Sequence, residues 1–388
     1  MSALDFSGPI RLIPTVKNYD WGKEGAGSLI GRLMGIGDAA RPLAELWLGS
    51  HRSGPAKFEV GGRKLEWDEL IELGAKEVLG VSLLSTYGRQ LPFLLKVISV
   101  GRPLSIQAHP DKAAAASLHA ERPELYPDSN HKPEIAVALT QAKILMGVRP
   151  QSELEALSGS GEAFGGFISE AGSVSARQLF DAICKSDDQG RCRVAEAIRE
   201  EIGALGFRNE NERVFMHLLD LFGPRDPGVL LSLLLNVCEL APGQALHVKP
   251  GTLHAYLSGD MLECMANSDN VARAGLTTKP LDFEALRRFA NFDAHAPELV
   301  VPQESGGAAM KKVYDAGAKE FQLVEWSGEG EIELPPGRPF VGICLRGEIE
   351  FSGENTAAAG ACFIVPAEAG KRKMQLRRAQ LFCATASV

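Results

Sequence analysis

The hydrophobic period of this 388-residue chain changes twice, and that pattern limits the folds open to it. Up to about residue 110, apolar residues fall in strand-length runs parted by Gly, Pro and Asn, as at 44–49 and 91–100. The second run is apolar on both faces after Pro92, as expected of a strand deep in a sandwich. A helix over 66–79 interrupts these strands. From Ser152 to about Leu240 the period becomes helical, and Val214, Phe215, Leu218, Leu219 and Phe222 form one amphipathic stripe. Asp226-Pro227 supplies an N-cap with Pro at the first helical position. Leu230, Leu231, Leu234 and Leu235 are expected to continue that helix's buried face. Glycines over 159–166 mark the way into this helical block, and Pro242-Gly243 the way out. Strands then return, followed by a short helix near 283–290 and a linker around 297–310. The tail from about 311 reads strand, Gly turn, strand, then a Gly and a Pro bracketing a further strand, at 342–351 and 360–366. That is the cadence of a small jelly-roll barrel. The expected fold is mainly β with a helical insertion. One β domain comprises 1–150 and 243–300, the helical insertion 151–242, and a smaller C-terminal jelly roll 301–388.

Composition narrows the functions. With 41 Gly and 22 Pro the chain is rich in turns, which suits strands. A net charge of −8 argues against nucleic acid and anionic membranes as partners, though a local basic pocket could still take a small anion. The seven Cys are scattered and odd in number, without a Cys-x-x-Cys pair, as in a reducing compartment. Met1 to Asp5 lacks the basic start of a signal peptide, and the apolar run 229–237 is too short to span a bilayer. A cytoplasmic protein is expected. No exposed apolar seam is evident, so a monomer is expected as well.

Three segments could hold a metal. In Gln107-Ala108-His109-Pro110, side chains at i and i+2 of a strand share a face, so Gln107 and His109 would point together, with Pro110 closing the strand. Asn130-His131-Lys132-Pro133-Glu134 then enters an apolar run, and Gly251-Thr252-Leu253-His254 follows much later. An amide, two imidazoles and a carboxylate make mixed N/O ligation, suited to a borderline cation such as zinc at a catalytic site. Spacing alone leaves the commoner alternative open, that these histidines are structural. His51, His119, His217, His247 and His295 lack any such setting and read as structural or surface residues.

Five blocks occur in order: Tyr19-Asp20-Trp21-Gly22, the segment 44–51, the segment 104–112, Asn130-His131-Lys132-Pro133-Glu134 and the segment 268–277. Together they resemble the signature blocks of type I mannose-6-phosphate isomerases, over about residues 12–282. The resemblance implies a cupin-type catalytic domain followed by a second cupin-like domain that binds no metal. It also implies the interconversion of mannose 6-phosphate and fructose 6-phosphate with one zinc ion, in the service of mannose and GDP-mannose metabolism. By matching position the zinc ligands would be Gln107, His109, Glu134 and His254. Arg273 would be the residue most associated with activity, and Ser105, Lys96, Lys132 and Glu263 would line the pocket. The sequence departs from the family pattern at Arg52 and Thr278, where Pro is common, and in its short C-terminal domain.

Such an isomerisation moves a proton between C1 and C2 through a cis-enediol. It needs an electrophile at the oxygens, a base at the carbons and an anchor for phosphate. Zinc could be the electrophile. Glu263 or Lys96 could be the base if neighbours or burial moved its pKa. Glu263 lies nine residues past His254 and is expected on the next strand. It could instead merely pair with Lys96 or Arg273. Arg273, Lys132 and Ser105 suit a hexose phosphate, Arg by its bidentate fork. Lys132 could equally be a solvated loop lysine. His131 could relay a proton or orient Glu134. Trp21 and Tyr256 are expected in the core. Two competitors remain from the residues alone: an iron oxygenase built on two His and a carboxylate, and a non-catalytic sugar-phosphate-binding cupin.

Overall fold

The computed structural model describes residues 5–37, 41–159, 175–351, 356–370 and 372–387. Strand outweighs helix, 36% against 29%, and the strands form two large antiparallel sheets. One is built around the long strand His254–Ala266, which pairs along its second half with Phe93–Val100 on one side and Glu134–Ala138 on the other. Phe93–Val100 is buried on both faces, as its apolar run requires. The first half of the long strand pairs with Ala142–Val148 and touches Ile106–Ala108.

Helices cover one flank of this sheet. Val214, Phe215, Leu218 and Leu219 of the helix Glu210–Phe222 are buried as the stripe predicts, in one core with Ala255 and Leu257 of the long strand. The leucines that follow do not all belong to a helix. Pro227–Leu231 is helical with Asp226 as its cap, Ser232–Leu234 tightens into a 3-10 turn, and Leu235–Leu240 is a strand on Ala142–Val148. Leu230 to Leu235 are all buried, so apolar period could not tell helix from strand there. The helix expected over 66–79 runs Trp67–Tyr87, broken by non-helical backbone at Gly74 and Gly80. The glycine-rich entry after Gly159 lies outside the described residues.

The second sheet contains the tail, and the expected linker belongs to it. Gln303–Gly306 and Ala309–Tyr314 pair as strands, with Leu299–Val300 attached to the first sheet. Every residue of Gln303–Gly306 is exposed, so this edge strand has no buried face to give it an apolar rhythm. Sheet membership also departs from chain position. Ile10–Ile13 lies between Cys362–Val365 and Lys57–Val60, so strands from the first 65 residues complete the C-terminal sheet. The two sheets share a core in which Leu46, Val97, Ile135 and Leu262 meet Tyr314, Phe321 and Phe382. No helix among the described residues is long and apolar enough to cross a membrane.

Candidate metal centre and cavity

Cross-strand pairing assembles the site. In antiparallel pairs, opposed residues share a face. His254 opposes Gln107, and Gln107 opposes Arg273 on Ala272–Gly275. Farther along, Glu263 opposes Lys96, and Lys96 opposes Trp47 on Glu45–Leu48. These two rows would face opposite ways on a regular strand, because nine residues separate His254 from Glu263. The expectation that Glu263 lies on the next strand is wrong, since both lie on His254–Ala266.

A bulge reconciles them. Lys143 opposes Ser258 whereas its neighbour Ile144 opposes Tyr256, so one extra residue is accommodated there. Before the bulge, Ala255 and Leu257 pack outward on the helices; after it, Leu262 and Cys264 pack outward on the shared core. His254, Tyr256, Glu263 and Met265 are therefore all left on the inner side. Gly259 follows the bulge with φ +109°, and a Cβ there would lie 2.7 Å from the Cβ of Ala142.

At the inner end, the ligating atoms of His109, Glu134 and His254 lie within 4.8 Å of one another, and all three residues are buried. His109 Nδ1 lies 2.8 Å from the Asn270 carbonyl and His254 Nδ1 2.9 Å from that of Thr252. A carbonyl only accepts, so in each ring Nδ1 carries the hydrogen and Nε2 turns a lone pair inward. His109 Nε2 is buried without a hydrogen-bond partner. Burial, then the charge of Lys132, holds that imidazole neutral well below the usual histidine range. Two imidazoles with Nε2 turned inward, a carboxylate and an orphaned buried nitrogen suit a divalent metal site. The amide of Gln107 adjoins them, 3.5 Å from His254 Nε2, with its oxygen accepting from Ser105. A half-turn of the amide exchanges which atom faces the centre.

Outward from this cluster runs a cavity of about 500 Å³. Ser105, Gln107, Glu134, Lys96, Lys132, Glu263 and Arg273 all line it, as do Glu45, Trp47, Arg102 and Lys279, which sequence reasoning missed. Trp21 and Tyr256 pack in the core as expected and line the cavity as well. The alternation Glu45-Leu46-Trp47-Leu48 was the available signal for two of these. Aromatic bodies gave no such signal, because they suit core and cavity wall alike.

The charges are arranged unequally. Lys96 Nζ lies 2.8 Å from Glu263 Oε2, and the Tyr256 hydroxyl donates to Glu263 Oε1 at 3.1 Å. Burial would lower the Lys96 pKa, but Glu263, Glu45 and Glu134 outweigh it and hold the ammonium above the usual lysine range. Lys96 is thus held as a cation against Glu263. Lys132 is buried with its Nζ 3.2 Å from Glu134, so it is no solvated loop lysine. His131 does not join the site. It does not line the cavity, and its Nε2 lies 2.8 Å from Glu320 Oε1.

Arg273 has no carboxylate within ion-pair distance among the described residues. Asp269 is engaged by His51 at 3.3 Å, and Glu263 by Lys96. Burial lowers the guanidinium pKa, with Tyr126 and Tyr19 opposing. Lys279, its pKa also lowered by burial and by Arg273, sits 4.9 Å over the ring of Tyr19. The partly buried Arg273 and the exposed Lys279, neither with a carboxylate partner among the described residues, face one cavity.

A family model described as phosphomannose isomerase type I, catalytic domain, matches residues 10–151. Mannose-6-phosphate isomerase 1 of Arabidopsis thaliana is 35% identical, over 92% of this chain and 89% of its own. Mannose-6-phosphate isomerase of Schizosaccharomyces pombe is 34% identical, over 87% and 85%. Among solved structures, a point mutant of phosphomannose isomerase from Salmonella typhimurium superposes with a TM-score of 0.86 at 27% identity, covering 98% of this chain and all of that one. A zinc-bound mannose 6-phosphate isomerase gives 0.85 at 26%, with the same coverage.

Proposed function

The chain belongs to the type I phosphomannose isomerases, and from that premise we propose that it interconverts mannose 6-phosphate and fructose 6-phosphate through a cis-enediol, supplying GDP-mannose synthesis. His109, Glu134 and His254, with Gln107, would hold zinc, which when bound supplies a Lewis acid for the substrate's carbonyl oxygen. The observation that carries this reading is the single cavity joining that donor cluster to the unpaired cations Arg273 and Lys279.

The remaining work falls to the protein's own side chains. Arg273, Lys279 and Arg102 are the natural holders of the phosphate, while Ser105 binds nearer Gln107. Lys132 stands beside Glu134 and so serves the metal end rather than the phosphate. Glu263 is the proposed base: it takes the proton from C2 of mannose 6-phosphate and returns it to C1. The electron pair of the broken C2–H bond becomes the C1–C2 double bond and the C1 carbonyl oxygen gains a proton, giving the enediol. As the proton returns to C1, that double-bond pair forms the new C1–H bond, and the C2 hydroxyl loses its proton and becomes the carbonyl. The proton gained at O1 is thus matched by the one lost at O2. Lys96 and Tyr256 fix the Glu263 carboxylate for that task. All seven cysteines are free, which supports a reducing, cytoplasmic setting, and we take the working enzyme to be a monomer.

A coupled assay with mannose 6-phosphate should show turnover that chelation abolishes and zinc restores. His254→Ala should lose about one zinc per chain by elemental analysis; a variant that keeps its zinc would refute the ligand set. Glu263→Gln should lower kcat strongly, with a smaller change in KM, and suppress deuterium exchange into the substrate. Exchange at the wild-type rate would make Glu263 a pairing residue only.

A further inference from the structure

One side-chain contact has no part in the mechanism above. His131 Nε2 lies 2.8 Å from Glu320 Oε1, and neither residue lines the cavity. Glu320 is 6% exposed and sits in the turn between Ala309–Tyr314 and Gln322–Glu333 of the second sheet. Its neighbours anchor that turn on both sides. Ser387 N donates to the Lys319 carbonyl at 3.2 Å, Ser387 Oγ donates to the Phe321 carbonyl at 3.0 Å, and the Phe321 ring is fully buried. The carboxylate is therefore presented from a fixed place in one sheet to a segment that serves the other.

That segment is held on its opposite side as well. The Asp128 carboxylate accepts from Ser268 Oγ at 2.8 Å and from Asp269 N at 2.9 Å, while Asn270 Nδ2 donates to the Asn130 carbonyl at 2.9 Å. The carbonyl of the same Asn270 fixes the ring of His109. His131, the end of the second grip, directly follows Asn130, and Lys132 and Glu134 come next, Glu134 opening the following strand. A bond between two mobile surface groups would position nothing, but this one closes the second side of a clamp.

We propose that Glu320 is a positioning residue for the isomerase: through His131 it fixes the turn that places Lys132 and Glu134, so the second sheet serves catalysis without lining the cavity. This rests on the function proposed above. Catalytic groups tolerate little displacement, and an error of 1 Å can cost about a hundredfold in rate.

The test measures kcat, KM, zinc content and Tm for the wild type and for three variants at this position. Wild-type protein without isomerase activity would refute the function itself, and the inference with it. Given an active wild type, Glu320→Ala should lower kcat about ten- to hundredfold, with KM changed less than about threefold and Tm within a few degrees. Glu320→Gln should retain most of the rate, because its amide oxygen still accepts from Nε2–H. Should the Ala variant fail to fold, Glu320→Asp takes its place: it keeps the charge but falls one methylene short, and the same drop is expected. Wild-type kcat in whichever of these two folds overturns the proposal, as does a lower Tm with kcat intact, which would assign the pair to folding alone.

Discussion

Replacing Arg273 removes no ion pair, because its guanidinium has no carboxylate partner among the described residues. Arg273→Ala should therefore leave Tm within a few degrees while lowering kcat/KM by roughly thirtyfold to several thousandfold, the range for a lost buried charge contact to substrate. Arg273→Lys keeps the charge but not the fork and should stay well below wild type. Lys96 behaves in the opposite way. Lys96→Met strands Glu263 with only the Tyr256 hydroxyl, which should cost about 3–5 kcal/mol in urea denaturation at neutral pH. Since the folded pKa of Lys96 is raised, its stabilisation is fully present below the unfolded lysine value of about 10.4 and is lost as pH climbs through the folded one. The gap between wild type and variant should thus stay constant between about pH 7 and 10. A gap that narrows in that window would show that the pair is not what Lys96→Met removes.

The long strand His254–Ala266 places both halves of the site by virtue of one irregularity. Gly259 has φ +109°, and any Cβ there would meet the Cβ of Ala142 at 2.7 Å and the carbonyl of Gln141 at 2.8 Å. Gly259→Ala should cost about 1–3 kcal/mol in backbone strain and lower zinc occupancy, read from Tm and elemental analysis together. Unchanged Tm and zinc would mean that the bulge tolerates a side chain. This element also marks where sequence reasoning ran out. The cluster of His109, Glu134 and His254 was legible because donors of the right chemistry stand in short motifs beside strand-like runs. Glu263's strand was not, since a bulge adds one residue without changing composition. His131 misled because it adjoins Lys132 in the chain, yet adjacent residues on a turn face different ways. The edge strand Gln303–Gly306 passed for a linker because nothing covers it.

At the scale of the whole molecule, the chain's two ends are built into one sheet. Removing residues before Thr15 would strip the partner from both Lys57–Val60 and Cys362–Val365 and expose two apolar edges. Such a truncation should yield aggregated protein, detected by gel filtration, although it deletes no cavity residue; a monomeric, active truncation would show that those edges can pair without the lost strand. The same pairing governs how the protein is made. Ile10 emerges from the ribosome about 350 residues ahead of Ile364, which it opposes. At roughly 5–20 residues per second the first strand must wait on the order of tens of seconds for its neighbour. Throughout that wait Ile10 and Leu12, both destined for full burial, stand open to solvent and to chaperones. Nascent chains arrested before Cys362 should therefore be cut by protease within the first strand, and those released at full length should not.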